Sequence, residues 1–463
     1  SQTVTGGKAE GKRENRTVKV IRPQMELEIK RKADILVVGG GPAGIGAAIS
    51  AARLGKKVLL LEKRGFLGGN ITACYVENCN HFLKGTPFHS EGLYKEIEQK
   101  CYEIYGNDNI REKNKMAFHS EYLKIFLDKF MKENKVEVLL HSFVNEVITR
   151  RNQIEAVIIQ TKQGPEAVSA EIIIDATGDG DVAFGAGLPF EQGREKDGMC
   201  QPGTVNFRVT GAHTEEMKGE RLSEISNIFT KESKEGRTGL ACSKQDIPFG
   251  RLTKAGQISY VNYSCAHGID PTDIEGLTRG EMECREYILE IYHYLKNQFH
   301  ELRDIEITSI APEIGFRDSR RIRGEYYLTI EDMESDRQFD DAIAVFPRFY
   351  DMLPPDGTSS GNGKVEGKGY DGHIFEPIVD ERTFQVPYRA LVPAGINNLL
   401  LAGRCISADH VAESGIRAIS LCMMMGQAAG AAAVLAVQDR VKPADIDYKK
   451  LQEILRKQDI SLP

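Results

Sequence analysis

One histidine of this sequence is well placed to exchange protons. His410 follows the glycine turn at Gly403 by seven residues, and the imidazole group titrates near neutral pH. We therefore predict that His410 acts as a proton acceptor in catalysis. A structural role, in which the ring is bonded to a backbone carbonyl, is the alternative.

Four arginines lie within seven residues and could bind an anion. A guanidinium group can hold a carboxylate or a phosphate through two parallel hydrogen bonds. We predict a catalytic role for Arg320 as a substrate clamp, with Tyr388 and Arg389 lining the same cavity. The alternative is ion pairing with Asp318 and Glu325 along a strand. The four arginines are Arg317, Arg320, Arg321 and Arg323.

The elements that must position these groups begin with a glycine-rich motif. The pattern is strand, tight turn, helix and strand, formed in order by Ile35–Val38, the glycines Gly39, Gly41 and Gly44, Ala47–Arg53 and Val58–Leu61. Continuous apolar runs of this kind are typical of strands that are buried in a parallel sheet. The sequence therefore predicts a βαβ unit wrapped around a phosphate group.

The glycines of this motif each have a physical reason. Gly39 turns the chain sharply, Gly41 lets backbone N–H groups approach a pyrophosphate, and Gly44 lets the helix pack closely on the strand. The positive end of the helix dipole then faces the phosphates. Glu62 lies 23 residues after Gly39, where a carboxylate accepts hydrogen bonds from an adenosine ribose. The motif alone does not separate FAD from NAD.

A second glycine turn, near the C-terminus, indicates a flavin. An apolar run leads into Ala402-Gly403-Arg404, and one helix is predicted from Gly415 to Ala436 with Arg417 in its first turn. Reduced flavin carries negative charge near N1 and the C2 carbonyl, which a cation or a helix N-terminus stabilises. The Gly68-Gly69 pair suits another close approach to a long cofactor. Together these features predict FAD.

The motifs are similar to those of a family of FAD-dependent oxidoreductases. The matching segments cover nearly all of residues 33–438 and are Gly39–Gly44, Glu62–Gly69, Asp175–Asp179, Ile314–Tyr326, Val386–Pro393, Ala402–His410 and Met425–Gly430. That family groups with the flavin subunit of heterodisulfide reductase and, more distantly, with glutathione-reductase-type flavoproteins. The resemblance implies an α/β fold, in which an FAD-binding Rossmann-like domain carries an inserted mixed α+β substrate or cap domain.

The resemblance also implies roles along the cofactor. From adenine to flavin, they fall to Val144 at the adenine, Glu62 and Lys63 at the adenosine ribose, Gly69 and Asn70 at the pyrophosphate and ribityl chain, and Arg404 and Arg417 beside the flavin. The matching segments add to the predicted cofactor-binding residues Pro42, Ala43, Gly68, Ala176, Thr177, Gly178, Asp179 and Gly403. The chain lacks the iron–sulfur cysteine spacing of the heterodisulfide reductase subunit, which argues against electron bifurcation.

Five regions are predicted along the chain. They are 1–30, a flexible tail with a pair of short strands; 31–189, the first part of the FAD-binding domain; 190–384, the inserted domain; 385–440, the return of the FAD-binding domain; and 441–463, a C-terminal helix. Within the insertion we expect a helix over Thr278–His300, a strand over Glu325–Thr329 and a glycine-rich loop over Gly357–Gly372.

Composition restricts the partners. A net charge of −7 over 463 residues argues against nucleic-acid and anionic-membrane partners, and we expect no apolar run long enough to span a bilayer. The nine cysteines include no C-x-x-C pair, so no metal site is predicted. Scattered thiols favour a bacterial-type cytoplasm, although a chain that starts at Ser1 leaves an exported form open. We expect a monomer or homodimer.

These observations predict an FAD-dependent oxidoreductase that transfers a hydride between a small organic substrate and non-covalently bound FAD. The alternative is a flavin disulfide reductase that uses Cys74 and Cys79, a C-x-x-x-x-C pair shortly after Gly68-Gly69. Here Cys74 lies five residues beyond Gly69, farther than in disulfide reductases, and no separate NAD domain is evident. A third possibility is a protein that binds a nucleotide without catalysis.

Overall fold

The computed structural model describes residues 20, 22–77, 91–110, 118–234, 249–348, 350–355 and 382–463. The predicted flexible tail before residue 17, the glycine-rich loop at 357–372 and Cys79 lie outside the described residues.

The strands within these ranges form one large sheet and several short ladders. In chain order they are β1 Ile29–Val38, β2 Val58–Leu61, β3 Glu137–Leu139, β4 Phe143–Arg150, β5 Gln153–Thr161, β6 Gly164–Asp175, β7 Phe190–Gln192, β8 Gly203–Thr204, β9 Phe207–Thr210, β10 Ile258–Val261, β11 Cys265–Ala266, β12 Glu306–Ile310, β13 Arg320–Ile322, β14 Ala342–Pro347, β15 Thr383–Pro387 and β16 Leu399–Leu401.

The helices within the same ranges are α1 Pro42–Arg53, α2 Asn70–Ala73, α3 Gly92–Tyr105, α4 Ser120–Glu133, α5 Asp181–Gly185, α6 Glu220–Lys234, α7 Ile274–Gln298, α8 Ile330–Glu334, α9 His410–Ile416, α10 Ile419–Asp439 and α11 Tyr448–Lys457. Helix α11 is the C-terminal helix that the sequence predicts.

The large sheet has seven strands in the order β3-β2-β1-β6-β5-β4, and β16 also pairs with β6. Strands β1, β2, β3, β6 and β16 run parallel, whereas β4, β5 and β6 form an antiparallel meander. The C-terminal half of β6 pairs with β16, since Ile173 lies opposite Leu399. The chain therefore returns to its first sheet near its C-terminus, and the mixed α/β fold class is confirmed.

Helices α1 and α10 pack against each other through residues without large side chains. A Cβ on Gly426 or Gly430 would overlap the backbone carbonyl oxygen of Ala43 or Ala47, and a Cβ on Gly46 would overlap that of Met423. Close backbone approach of this kind requires glycine. The contact holds the two ends of the chain together beneath the glycine motif.

The described residues contain two large hydrophobic clusters and one small one. The first contains the large sheet, α1 and α10, and it also takes in Ile322, Phe346 and Phe384. Members of the second run from Val205 to Phe316, together with Tyr75. We call the part between residues 205 and 316 the cap. The predicted insertion of 190–384 therefore contributes to both large clusters, and its boundaries stay a prediction.

Three predicted elements differ from the structure. Residues 22–28 form no strand, and β1, which begins at Ile29, pairs along its length with β6. Residues 325–329 form no strand either, since only isolated bridges occur at Gly324 and Leu328. The predicted single C-terminal helix is two helices, because the chain leaves helical geometry at Ala418, whose ψ is 132°.

Helix α10 is long and apolar enough to cross a membrane by length and composition, although no such run is predicted from the sequence. However, 94% of its most apolar stretch is buried inside the protein. Its alanines and glycines are explained by the close contact with α1, so the helix is part of the protein core.

Candidate functional site

The first glycine turn lies at the carboxyl end of β1. Gly39 has a φ of +104°, which favours glycine, and a Cβ there would overlap the carbonyl oxygen of Ala176. Gly41 is the N-cap of α1, and Pro42 begins the helix. The first turn of α1 thus presents backbone N–H groups and the positive end of its dipole at this edge of the sheet.

The acidic residue after β2 is tied to this turn. Glu62 is 3% exposed, and its Oε2 accepts a hydrogen bond of 2.7 Å from the N–H of Gly40. Its Oε1 accepts one of 2.9 Å from the N–H of Arg64. The carboxylate therefore joins the end of β2 to the glycine motif, and it stands where the sequence predicts an acceptor for the ribose.

A second pair of glycines touches the first turn. The N–H of Gly68 donates to the carbonyl of Gly40 over 2.9 Å, and a Cβ on Gly69 would lie 2.8 Å from the Cα of Gly41. Gly68 and Gly69 both have positive φ. The two backbones form a cradle with no side chain between them.

The turn after β6 is braced by a partly buried arginine. Arg404 donates to Asp179 Oδ1 over 2.9 Å and to the carbonyl of Phe316 over 3.2 Å, and its guanidinium covers Gly178. Burial raises the pKa of Asp179, but the charge of Arg404, the hydrogen bond from Ser319 and the charges of nearby cations outweigh burial and hold the pKa below its usual value. The aspartate is therefore ionised and paired with Arg404.

Arg417, which is expected near the flavin, lies at a different part of a helix than predicted. Arg417 is the C-cap of α9, not a residue in the first turn of a long helix. Its Nη2 lies 3.0 Å from Asp351 Oδ2. Helix α10 begins two residues later, and Ile419 and Cys422 of its first turn line the cavity described next. The helix N-terminus and Arg417 therefore lie at the same cavity.

These elements enclose a cavity of about 300 Å³. Among the predicted residues it is lined by Gly39, Gly41, Pro42, Ala43, Glu62, Lys63, Gly69, Asn70, Ala176, Thr177, Gly178, Asp179, Gly403, Arg404 and Arg417. A smaller cavity of about 40 Å³, which includes Val144, shares Gly39, Glu62, Lys63, Arg64 and Thr177 with it. Of the predicted cofactor-binding residues, only Gly44 and Gly68 line neither cavity, and both shape the adjoining turns.

The opposite side of the cavity of about 300 Å³ comes from the cap, which the sequence motifs do not predict. We call Pro271, Leu277, Ile314 and Phe316 the cap wall, and the carboxylates of Glu281 and Glu313 lie beside it. Glu313 forms an ion pair with Arg64 across the cavity. Leu277 and Glu281 stand on α7 and Pro271 precedes that helix, whereas Glu313, Ile314 and Phe316 follow β12. No local motif marks these positions, because only the tertiary fold brings them to the glycine turns.

The two residues predicted to be catalytic do not line either cavity. His410 is 4% exposed, and its Nδ1 lies 3.1 Å from Asp318 Oδ2. Arg320 lies 4.0 Å over the ring of Phe184 and donates to Asp181 Oδ1 over 3.0 Å. Both side chains lie outside the lining of the two cavities, so their catalytic roles stay a prediction.

The arginine cluster does not form an anion clamp. Its members point to separate partners, and the predicted pairing with Asp318 and Glu325 is not what the structure has. The partners are the carbonyl of Pro202 for Arg317, Asp181 for Arg320, Glu413 for Arg321 and Glu191 for Arg323. Tyr388 and Arg389 also lie away from the cavity, where they bond to Pro443 and Asp341.

The cysteine pair of the alternative hypothesis is only partly described. Cys74 is buried and does not line the cavity. Burial raises the pKa of its thiol to about 11, so the nucleophilic thiolate is scarce at neutral pH. Cys422 does line the cavity, and burial raises its pKa to about 12.

The residues of the cavity fit a dinucleotide cofactor. A Cβ on Gly41 would project between the two glycine loops, 3.5 Å from the Cα of Gly69, into the space a pyrophosphate needs. The N-termini of α1 and α10 both open on this space, and Lys63 adds a positive charge at its edge. Both ends of a long, negatively charged ligand therefore meet positive groups.

The fold is that of an α/β protein, and the residues of its cavity fit a dinucleotide. The sequence profile of the FAD dependent oxidoreductase family matches residues 34–455, and the chain belongs to that family. The predicted family, the enzyme class and FAD as the cofactor are thereby confirmed.

Similar proteins include reductases and dehydrogenases. Digeranylgeranylglycerophospholipid reductase 2 of Methanothermobacter thermautotrophicus is 27% identical over 248 residues, which are 50% of this chain and 61% of that protein. Dihydrolipoyl dehydrogenase 2, mitochondrial, of Arabidopsis thaliana is 36% identical over 78 residues, or 17% of this chain and 14% of that protein. The chain thus spans less than two thirds of the length of these relatives.

Among solved structures, a geranylgeranyl bacteriochlorophyll reductase-like protein from Thermoplasma acidophilum is similar to this chain. It superimposes with a TM-score of 0.46 at 14% identity, and the match covers 93% of this chain and 84% of that one.

Proposed function

We propose that this protein transfers a hydride between a small organic substrate and non-covalently bound FAD. The proposal rests on the residues that line the two sides of the cavity of about 300 Å³. Glycine turns and helix N-termini form one side, and the apolar cap wall forms the other. A substrate between them would face the flavin end of the cofactor site.

The cofactor side of the cavity supplies binding and charge. Gly41 and Gly69 leave room for the pyrophosphate, and the N-terminus of α1 compensates its charge. Arg404, Arg417 and the N-terminus of α10 supply positive potential at the flavin end. FAD, when bound, supplies the redox chemistry itself. The residues therefore hold the cofactor and favour its reduced, more negative form.

The cap side of the cavity gives the substrate space an apolar surface. Leu277, Ile314 and Phe316 present apolar surface to the substrate space, which excludes water and strengthens electrostatic interactions with the cofactor. The cavity cations Arg404 and Arg417 are already paired with Asp179 and Asp351. This arrangement suits a small substrate whose reacting part is apolar.

The alternative of a disulfide reductase has less support. The thiol of Cys74 lies outside the cavity lining, and its raised pKa disfavours the thiolate that disulfide exchange requires. No described contact brings a second cysteine to it.

A small organic hydride donor tests the proposal directly. N-benzyl dihydronicotinamide is mixed with the FAD-loaded protein without oxygen, and bleaching of the flavin band is followed for Leu277→Trp and for Leu289→Trp. Leu289 lies on the same helix and is 54% exposed. We expect bleaching with a deuterium isotope effect in the wild type, slowed at least about tenfold only in Leu277→Trp.

Two outcomes would overturn the proposal. In the first, dithionite reduces the flavin of the wild type, but the dihydronicotinamide donor, NADH and NADPH all fail to reduce it. The other is equal rates in the two tryptophan variants at equal FAD content, which would place the reacting space away from the cap wall.

A further inference from the structure

Three buried side chains behind the cavity converge on one point. Asp318, His410 and Glu413 each direct a ligand-type atom to a group of atoms that lie within 4.8 Å of one another. Asp318 precedes β13, and His410 and Glu413 lie one turn apart on α9. All three are at most 4% exposed.

The two carboxylates use their oxygens in the same way. Asp318 Oδ1 accepts a hydrogen bond of 2.8 Å from the N–H of Gln201, and Glu413 Oε2 lies 3.4 Å from Arg321 Nη1. Glu413 Oε1 receives no hydrogen bond from any described residue, and Asp318 Oδ2 lies 3.1 Å from His410 Nδ1 without hydrogen-bond geometry. Each carboxylate is therefore oriented by one oxygen and presents the other to the cluster.

A buried oxygen without a donor costs free energy unless something positive meets it. Among the described residues, the two carboxylates share one ion pair with an arginine, that of Glu413 with Arg321. Arg404 and Arg417 act on Glu413 only electrostatically. Neutral imidazole and carboxylate oxygens are common ligands of divalent transition metals. Ligands held by a second layer of hydrogen bonds are also typical of such sites.

We propose that Asp318, His410 and Glu413 bind a divalent transition-metal ion such as Zn²⁺ or Mn²⁺. Ligand atoms about 2.1 Å from a metal stand about 3–4 Å apart, so small side-chain rotations complete the site. The ion ties the segment before β13 to α9. That segment carries the Phe316 carbonyl that holds Arg404, so the ion is structural and stabilises the flavin end of the cavity.

Metal content tests this inference without reference to turnover. The FAD-loaded full chain is dialysed against EDTA, incubated separately with ZnCl₂ and MnCl₂, desalted and analysed by inductively coupled plasma mass spectrometry. We expect one tightly held equivalent of at least one metal, and a thermal midpoint that rises with the concentration of that metal. Retention of neither metal by folded, FAD-loaded protein would overturn the proposal.

Variants separate this site from adventitious binding by the cysteines. Asp318→Asn and Glu413→Gln should retain at least about tenfold less metal, and Arg321→Gln should weaken binding about 10–100-fold as a second-layer change. The control is Asp304→Asn, which alters the exposed pair of Asp304 and His213 and should bind as the wild type. If folded Arg321→Gln and one ligand variant bind metal as tightly as the control, the proposal is wrong.

Discussion

The carboxylate of Glu62 accepts a hydrogen bond from the backbone N–H of Gly40 over 2.7 Å. This bond joins the end of β2 to the turn that begins α1, so the residue expected to bind the ribose also orders the loop expected to bind the phosphates. Hydrogen bonds to a charged group contribute about 1.5–3 kcal/mol, enough for this one contact to influence cofactor affinity.

Replacing Glu62 by glutamine should weaken FAD binding about tenfold or more, or at least about 1.4 kcal/mol. The amide keeps an acceptor for one N–H but loses the charge that two donors share. Flavin fluorescence titration of the apoprotein measures the effect. Glu137→Gln, an exposed change on neighbouring β3, should leave the affinity unchanged, and equal affinity in both variants would contradict the role of Glu62.

Arg404 should set the redox potential of the flavin. Its positive charge is held by Asp179 and the Phe316 carbonyl, and a cation near the ring favours the reduced form. Arg404→Met should lower the two-electron midpoint potential by about 30 mV or more, since 30 mV corresponds to about 1.4 kcal/mol. Dye-coupled anaerobic titration measures the potential.

The control for that measurement is Arg323→Met. Arg323 pairs with Glu191 and does not line the cavity, so its loss should leave the potential within error. A potential that is unchanged in FAD-loaded Arg404→Met would show that the arginine lies too far from the flavin to act on it.

The contact between α1 and α10 should not tolerate a methyl group. Gly426→Ala places its Cβ against the Ala43 carbonyl, and overpacking of this kind costs about 1–3 kcal/mol, which outweighs the better helix propensity of alanine. Urea denaturation should show the loss. Gln438→Ala, at the exposed end of the same helix, is the control, and a Gly426→Ala protein as stable as that control would refute the close packing.

The free energy of unfolding should decrease as the pH rises, because of a buried glutamate. Glu98 is 3% exposed, and burial raises its pKa to about 8. Because the folded-state pKa lies above the unfolded value, its contribution is fully present below about pH 4.5 and is lost as the pH rises through about 8. Glu98→Gln should remove this dependence, so that at about pH 8.5 the free energy of unfolding of the variant exceeds that of the wild type by about 3–5 kcal/mol.

Urea denaturation at pH 5 and pH 8.5 gives the comparison for Glu98. Glu103→Gln, on the exposed side of the same helix, should have the same free energy of unfolding as the wild type at about pH 5 and at about pH 8.5. If the free energies of unfolding of the wild type and of Glu98→Gln change in parallel with pH, Glu98 is not protonated and buried as described.

Cys74 should be dispensable for reduction of the flavin. Its thiol is buried, and burial raises its pKa to about 11, so in the native protein it should react with iodoacetamide far more slowly than in the unfolded protein. Cys74→Ser should keep the wild-type rate of flavin bleaching by the dihydronicotinamide donor. Loss of bleaching in folded, FAD-loaded Cys74→Ser would favour the disulfide-reductase alternative.

The sequence predicts the cofactor side of the cavity well because its signals are local. Gly39, Gly41 and Glu62 belong to one βαβ unit, and the spacing of such a unit follows from backbone geometry. Arg404 follows a buried strand in the same way. These positions are readable because the chemistry and the turn that presents it lie within a few residues of each other.

Local sequence patterns predict neither the cap wall nor the residues that surround His410. Leu277 reaches the cavity from α7, more than 200 residues after the first glycine motif. His410 meets Asp318, which lies 92 residues earlier, and not the cavity. The break before α10 has no glycine or proline to mark it, so Arg417 is assigned to the wrong end of a helix.

The most direct test of the central claim is the visible spectrum and flavin content of the purified protein, before and after acid precipitation. We predict a flavin absorption band, one FAD per chain released intact by acid, and loss of that FAD when the cradle is filled by Gly41→Leu. Protein that folds without any flavin and does not bind added FAD, or Gly41→Leu protein that binds FAD as tightly as the wild type, would contradict the assignment of this cavity as the FAD site.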